Sequence, residues 1–180
     1  MEKQDLLKNE KKHKGNLFTA LTFSKGEVEK IYEHLEKIVD DKNKLTAREK
    51  IHLTLVYIGK TDNEQAIIEV LSEIDFESFD ITISGISKMP RLNIYVFNVV
   101  ENEKLIELKK LIDAKLEKAN ISFNKRENFY PHITISRKNI KYKKTDFSLK
   151  LKISKFDLIA SIPIPGNVKY ETLYTNNFKN

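Results

Sequence analysis

Apolar and polar positions along the chain fall into a strand, helix, loop and strand order that occurs twice. Leu17-Phe18-Thr19-Ala20-Leu21-Thr22-Phe23 reads as a strand. In the segment from Glu27 to Ile38 that follows, Val28, Ile31, Leu35 and Ile38 recur at helical spacing. A polar loop then leads to a second strand, Ile51-His52-Leu53-Thr54-Leu55. The order restarts at Ile94-Tyr95-Val96-Phe97-Asn98-Val99-Val100, a strand, after which Leu105, Leu108, Ile112 and Leu116 keep the helical period. Another polar loop opens into Pro131-His132-Ile133-Thr134-Ile135. Phe18 and His52 are 34 positions apart, and Tyr95 and His132 are 37 apart. Two copies are too few for a solenoid, so the pattern predicts a duplicated domain with a pseudo-twofold axis.

The remaining segments complete an α+β chain of antiparallel sheets flanked by helices. Ala66 to Ile74 reads as a short helix, and Phe79 to Ser84 alternates as a half-buried strand does. Gly85 and Met89-Pro90-Arg91 punctuate the chain before the second half. Phe147 to Ile153 and Phe156 to Ser161 are two further strands, Pro163 to Asn167 is a turn, and Tyr170 to Tyr174 is a last short strand. Residues 1–15 read as a polar tail and residues 16–180 as one unit, with motif-bearing repeats at about 16–60 and 93–138.

The chemistry lies in the two histidine strands. Successive side chains of a strand point to opposite faces, so His52 and Thr54 share one face, as do His132 and Thr134. A polar pair inside an apolar run is costly unless it has partners or a purpose. One His-x-Thr strand is ordinarily a hydrogen-bonded core histidine; two, in equivalent places of a repeat, point to matching halves of one site. A pair of histidines supplies a base and an acid near neutrality. Two facing threonine hydroxyls can hold the non-bridging oxygens of a phosphoryl group between them. The sequence has no HExxH, no carboxylate cluster and no P-loop glycine run, so no metal and no cofactor are expected. His13, in a charged tail, and His34, placed on the solvent side of its helix, lack a companion threonine and receive no role.

Composition changes this picture in a few places. No cysteine means no disulfide framework and no thiolate metal site. The polar start Met1-Glu2-Lys3-Gln4-Asp5 is unlike a signal peptide and no apolar run reaches membrane-spanning length, so a cytoplasmic monomer without membrane contact is expected. The net charge of +6 is uneven: from Arg137 to Lys155 there are eight basic residues against Asp146 alone. That stretch suits a polyanion such as RNA, the alternative being a solvated lysine-rich surface. Arg137, five residues after His132, is placed to reach a phosphate or stack on a base.

These residues give the chain a clear resemblance. Ile51-His52-Leu53-Thr54-Leu55-Val56-Tyr57-Ile58-Gly59 and Tyr130-Pro131-His132-Ile133-Thr134-Ile135-Ser136-Arg137 resemble the paired motifs of the 2H phosphoesterase superfamily. Within it, the chain is similar to the LigT-like RNA 2′,3′-cyclic phosphodiesterases, historically called 2′-5′ RNA ligases. Asn16 to Leu21 resembles the family's opening strand, and Phe79 to Gly85 its middle strand. The resemblance implies a bilobal fold with a central cleft and metal-free hydrolysis of a 2′,3′-cyclic phosphate to a 2′-phosphate. It implies His52 and His132 as the acid–base pair, Thr54 and Thr134 as phosphate donors, and Arg137 as a substrate contact. Two segments depart from the family: Tyr95 and Asn98 stand where a tryptophan and a glycine are typical, and the loop from Asp40 to Lys50 is charged without the usual aromatic. RNA ends are the expected substrate. A small cyclic nucleotide, a 2′-5′-linked oligonucleotide, or a non-catalytic module that binds RNA ends are the alternatives.

Overall fold

The computed structural model describes residues 15–180; His13 and the expected tail, apart from Gly15, lie outside the described residues. The main elements are β1 (Asn16–Thr22), α1 (Lys25–Ile38), β2 (His52–Gly59), α2 (Glu64–Ser72), β3 (Phe79–Lys88), β4 (Tyr95–Val99), α3 (Glu103–Lys118), β5 (His132–Ser136), β6 (Ser148–Ile153), β7 (Lys155–Ile164) and β8 (Asn167–Asn177). The strands form one eight-stranded sheet in the order β6-β3-β4-β5-β2-β1-β7-β8. Every pairing between these strands is antiparallel. The sheets expected for the two halves are therefore continuous, and they join where Leu53 of β2 pairs with Ile133 of β5.

Local chemistry sets the helix ends. Ser24 caps α1 in a capping box: its hydroxyl accepts from the Glu27 N–H while the Glu27 carboxylate accepts from the Ser24 N–H. The Asn102 side chain caps α3 by accepting from the Leu105 N–H. At the far end of α3, Asn120 takes φ 55° and Ile121 N–H donates back to the Leu116 carbonyl, a left-handed stop.

Val28, Ile31 and Leu35 of α1 and Leu105, Leu108, Ile112 and Leu116 of α3 are buried as their spacing predicts, with Tyr32 and Lys109 buried beside them and Ile38 only partly covered, in a core that both halves share. The helices are tied to strands far along the chain. The Glu27 carboxylate of α1 accepts from the Lys152 N–H on β6, and the Asn176 amide of β8 donates to the Leu71 and Ile74 carbonyls at the end of α2. Leu53, Leu55, Phe97, Ile133 and Ile135 face these helices, each nearly or wholly buried. The alternation of a strand then turns their neighbours, the histidines and threonines, to the open face. Among the described residues no helix is long and apolar enough to cross a membrane.

Four strands differ from the expected ones. Gly85 bends β3 without ending it: at φ 36°, a conformation that favours glycine, it absorbs a register shift between Ser84 and Ile86, and β3 runs on to Lys88. β7 and β8 form a longer hairpin than expected, reaching Ile164 and starting again at Asn167. In β2, Thr54 pairs with Ala20 but Val56 pairs with Thr19, so Leu55 is an extra residue. That bulge puts Tyr57, opposite Phe18, on the same face as Thr54.

Candidate active site

The single register point between β2 and β5 fixes the quartet. Extending the antiparallel pairing of Leu53 and Ile133 by one residue each way sets Thr134 across from His52 and His132 across from Thr54. All four side chains are half-buried on the face away from the helices. Two hollows open between them. One, of about 390 Å³, is lined by His52, Thr134, Arg137 and Lys138, with Lys50 and Tyr170. The other is shallow, about 30 Å³, and is lined by Thr54 and His132 with Tyr57, Arg126 and Tyr130. The five candidate residues named from the sequence thus lie in two hollows that meet where Thr54 touches His52.

Each imidazole is held the same way. His52 Nδ1 lies 2.7 Å from the Lys50 carbonyl, and His132 Nδ1 lies 2.8 Å from the Tyr130 carbonyl, in each case two residues back along the chain. A carbonyl only accepts, so Nδ1 carries the proton and the Nε2 lone pair of the neutral ring is left free. In His52 that lone pair meets Thr54 Oγ1 at 3.1 Å. Around His52 the Phe18 ring sits at 5.1 Å and the Tyr170 ring edge-on at 5.5 Å. His132 is stacked on Tyr130 at 5.7 Å, and the Tyr130 hydroxyl donates to Asn98.

Both histidines titrate below the ordinary imidazole value. Burial is the main cause for each, opposed by the carbonyl bond to Nδ1, which favours the cation. Arg137 pushes both further down; His132 also pushes on His52, and Arg126 on His132. Both rings are accordingly neutral at pH 7, with Nε2 ready to accept a proton. Arg137→Gln is expected to raise the midpoints of both histidines in ring-proton NMR titrations, and Arg126→Gln that of His132 alone. If Arg137→Gln moves neither, the arginine does not face the pair.

The cleft also contains residues that the sequence did not single out. Phe18 and Tyr170 belong to β1 and β8, and only the sheet order brings them beside His52. Lys50 and Tyr130 stand two residues before each histidine; they hold the imidazoles through their carbonyls, for which side-chain identity carries no signal. Asn98, one of the two departures from the family, pairs with His132 in register and also accepts from Ser87. Tyr95, the other, is buried instead and donates to Asn139. The charged loop does border the cleft through Lys44 to Ala47 and Lys50. It is pinned there by Thr46 N–H donating to Ile135 and by the Ser136 hydroxyl donating to the Lys44 carbonyl.

Two expectations are corrected. His34 is not on a solvent face: its ring stacks on Phe147 at 3.7 Å, near the buried Phe97, on the helix side of the sheet. The basic stretch does not form one surface. Lys138 lines the cleft, whereas Lys143 and Lys144 line a hollow with His34 across the sheet. Lys150 pairs with Asp80, and Lys155 with the buried Asp157. A dense run of lysines along the chain is split in space because the segment between β5 and β6 leaves the cleft after Lys138 and runs beside the end of α1, where Val39 bridges Tyr142 and the Lys143 N–H donates to the Ile38 carbonyl.

The model of the 2′-5′ RNA ligase superfamily matches residues 27–157, and the chain belongs to that superfamily. It is similar to the RNA 2′,3′-cyclic phosphodiesterase of Methanocaldococcus jannaschii, at 29% identity over 143 residues, covering 78% of this chain and 80% of that protein. The RNA 2′,3′-cyclic phosphodiesterase of Thermotoga maritima is 28% identical over 151 residues, covering 74% of this chain and 78% of the relative. In fold, the chain is like E. coli LigT in crystal structures with 3′-AMP and with ATP, with TM-scores of 0.79 and 0.76 at 21% and 20% identity. Each covers 92% of this chain and 99% of the LigT chain.

Proposed function

We propose that this protein is a phosphodiesterase that hydrolyses the 2′,3′-cyclic phosphate at an RNA end to a 2′-phosphate, without a metal, through His52 and His132. The observation that carries the reading is the matched pair of imidazoles, each locked by a backbone carbonyl with Nε2 turned to a face that holds two threonine hydroxyls. The names of the relatives support the substrate class. The reading of residues 16–180 as one bilobal unit of two related halves is supported by the shared core and by a strand order with β2-β1 and β5-β4 on either side of the central join.

In this mechanism one Nε2 takes a proton from water, and the water oxygen attacks phosphorus. The bond from phosphorus to O3′ breaks, and the other histidine, as imidazolium, gives its proton to O3′, leaving the phosphate on O2′. Both rings are neutral at rest, so one takes up a proton as the anion binds; the phosphate charge offsets the push of Arg137. Thr54 and Thr134 donate to the non-bridging oxygens, Thr54 exchanging His52 Nε2 for the phosphate, and Arg137 steadies the charge. Among the described residues no three histidine, aspartate or glutamate side chains gather as a metal site.

The test is incubation of a short RNA ending in 2′,3′-cyclic phosphate with excess EDTA, followed by identification of the new end. Undiminished hydrolysis to a 2′-phosphate is expected. Loss of activity restored by a divalent ion would remove the metal-free mechanism, and a 3′-phosphate product would put the acid on the wrong oxygen.

A further inference from the structure

The shallow hollow beside His132 has a composition that the hydrolysis of one phosphate does not use. Five large apolar side chains are exposed among the described residues, Tyr57, Leu92, Val100, Tyr130 and Ile164. Two of them, Tyr57 at 40% and Tyr130 at 52% exposure, converge on this hollow. Arg126 lies with them on its rim, exposed, and close enough to act on the His132 charge. The Tyr130 ring is fixed at both ends, by its stacking on His132 and by its hydroxyl bond to Asn98. Tyr57 is brought to the same side by the Leu55 bulge, and its carbonyl accepts from the Asn124 N–H.

Rigid, half-exposed aromatic faces next to an arginine are what a single-stranded nucleic acid needs, bases stacking on the rings and a backbone phosphate meeting the cation. The two hollows divide the work by size. The one of about 390 Å³ beside His52 is large enough for a nucleoside, whereas the one of about 30 Å³ beside His132 cannot engulf anything and offers only surfaces to lie against. We propose, resting on the phosphodiesterase reading, that the wall of Tyr57, Tyr130 and Arg126 binds the nucleotide preceding the terminal one, its base on the tyrosines and its phosphate on Arg126. The strand then leaves the cleft on the His132 side, and the lysines after Arg137 are not its track.

The test compares equilibrium binding of a mononucleotide and a dinucleotide, each ending in a 2′-phosphate. The dinucleotide is expected to bind roughly tenfold tighter, the worth of one stacked base. Tyr57→Leu and Arg126→Gln should each pull that ratio towards one, while Tyr57→Phe, which keeps the ring, retains it. Arg126→Gln should also flatten the salt dependence of dinucleotide binding, since one phosphate contact is lost. Equal affinities in the unmutated protein, a ratio that survives both variants, or equal weakening of both ligands would each overturn the proposal. Turnover of the corresponding cyclic phosphates is measured alongside: its absence would defeat the hydrolytic reading, while the binding ratio still decides the wall.

Discussion

His52→Ala and His132→Ala are each expected to slow hydrolysis of an RNA cyclic phosphate by about 10²–10⁴-fold, the span a positioned acid or base contributes. The structure gives each ring one donor fixed to a carbonyl and one nitrogen left for the reaction, so neither can stand in for the other. The two act as a unit: once one proton transfer is lost, the second has little left to assist. The double variant should therefore be far more active than the product of the two single losses predicts. The two sites differ in what else they lose. His52 packs against Phe18 and Tyr170, so His52→Ala opens a gap there and lowers the melting temperature more than His132→Ala, whose ring is stacked only on the exposed Tyr130. Rates are compared well below both melting transitions. Near-wild-type turnover in either variant would make that histidine a structural residue.

The arrangement of the candidate site was legible because its signal is periodic and local. His-x-Thr in an apolar run tells which side chains share a face, and the repeat tells that two such faces belong together. The helices α1 and α3 were legible for the same reason: of the residues at helical spacing, Val28, Ile31 and Leu35, and Leu105, Leu108, Ile112 and Leu116, are buried, and only Ile38 at the end of α1 is partly covered. What escaped depends on neighbours far along the chain. Tyr170 reaches His52 only because β8 folds beside β7 and β7 beside β1. Tyr57 reaches the cleft through an extra residue at Leu55, which strict alternation would have turned inward. Gly85 looked like an end because a glycine at positive φ serves a bulge as well as it serves a turn. The lysines from Arg137 to Lys155 misled because charge density along a chain says nothing of which face of a sheet each residue joins.

Thr54→Val and Thr134→Val keep the shape of the side chain and remove one donor each. If the hydroxyls hold the non-bridging oxygens, each loss is expected to cost about 2–4 kcal/mol of transition-state stabilisation, roughly 30- to 1000-fold in rate. The two are not equivalent, because Thr54 Oγ1 sits 3.1 Å from His52 Nε2 while among the described residues Thr134 makes no such bond to an imidazole. In the resting site the Thr54 hydroxyl donates to the lone pair of the neutral ring, and when that ring is protonated the same oxygen can turn to accept from it. Thr54→Val should therefore take a hydrogen bond from His52 as well as slow the reaction, whereas Thr134→Val only slows it. Neither hydroxyl titrates near neutrality, so both limbs of the pH–rate profile persist in either variant. Rates that stay unchanged while the fold is destabilised would return the threonines to a structural role. A profile that loses a limb in either variant would mean the hydroxyl takes part in the proton transfer itself.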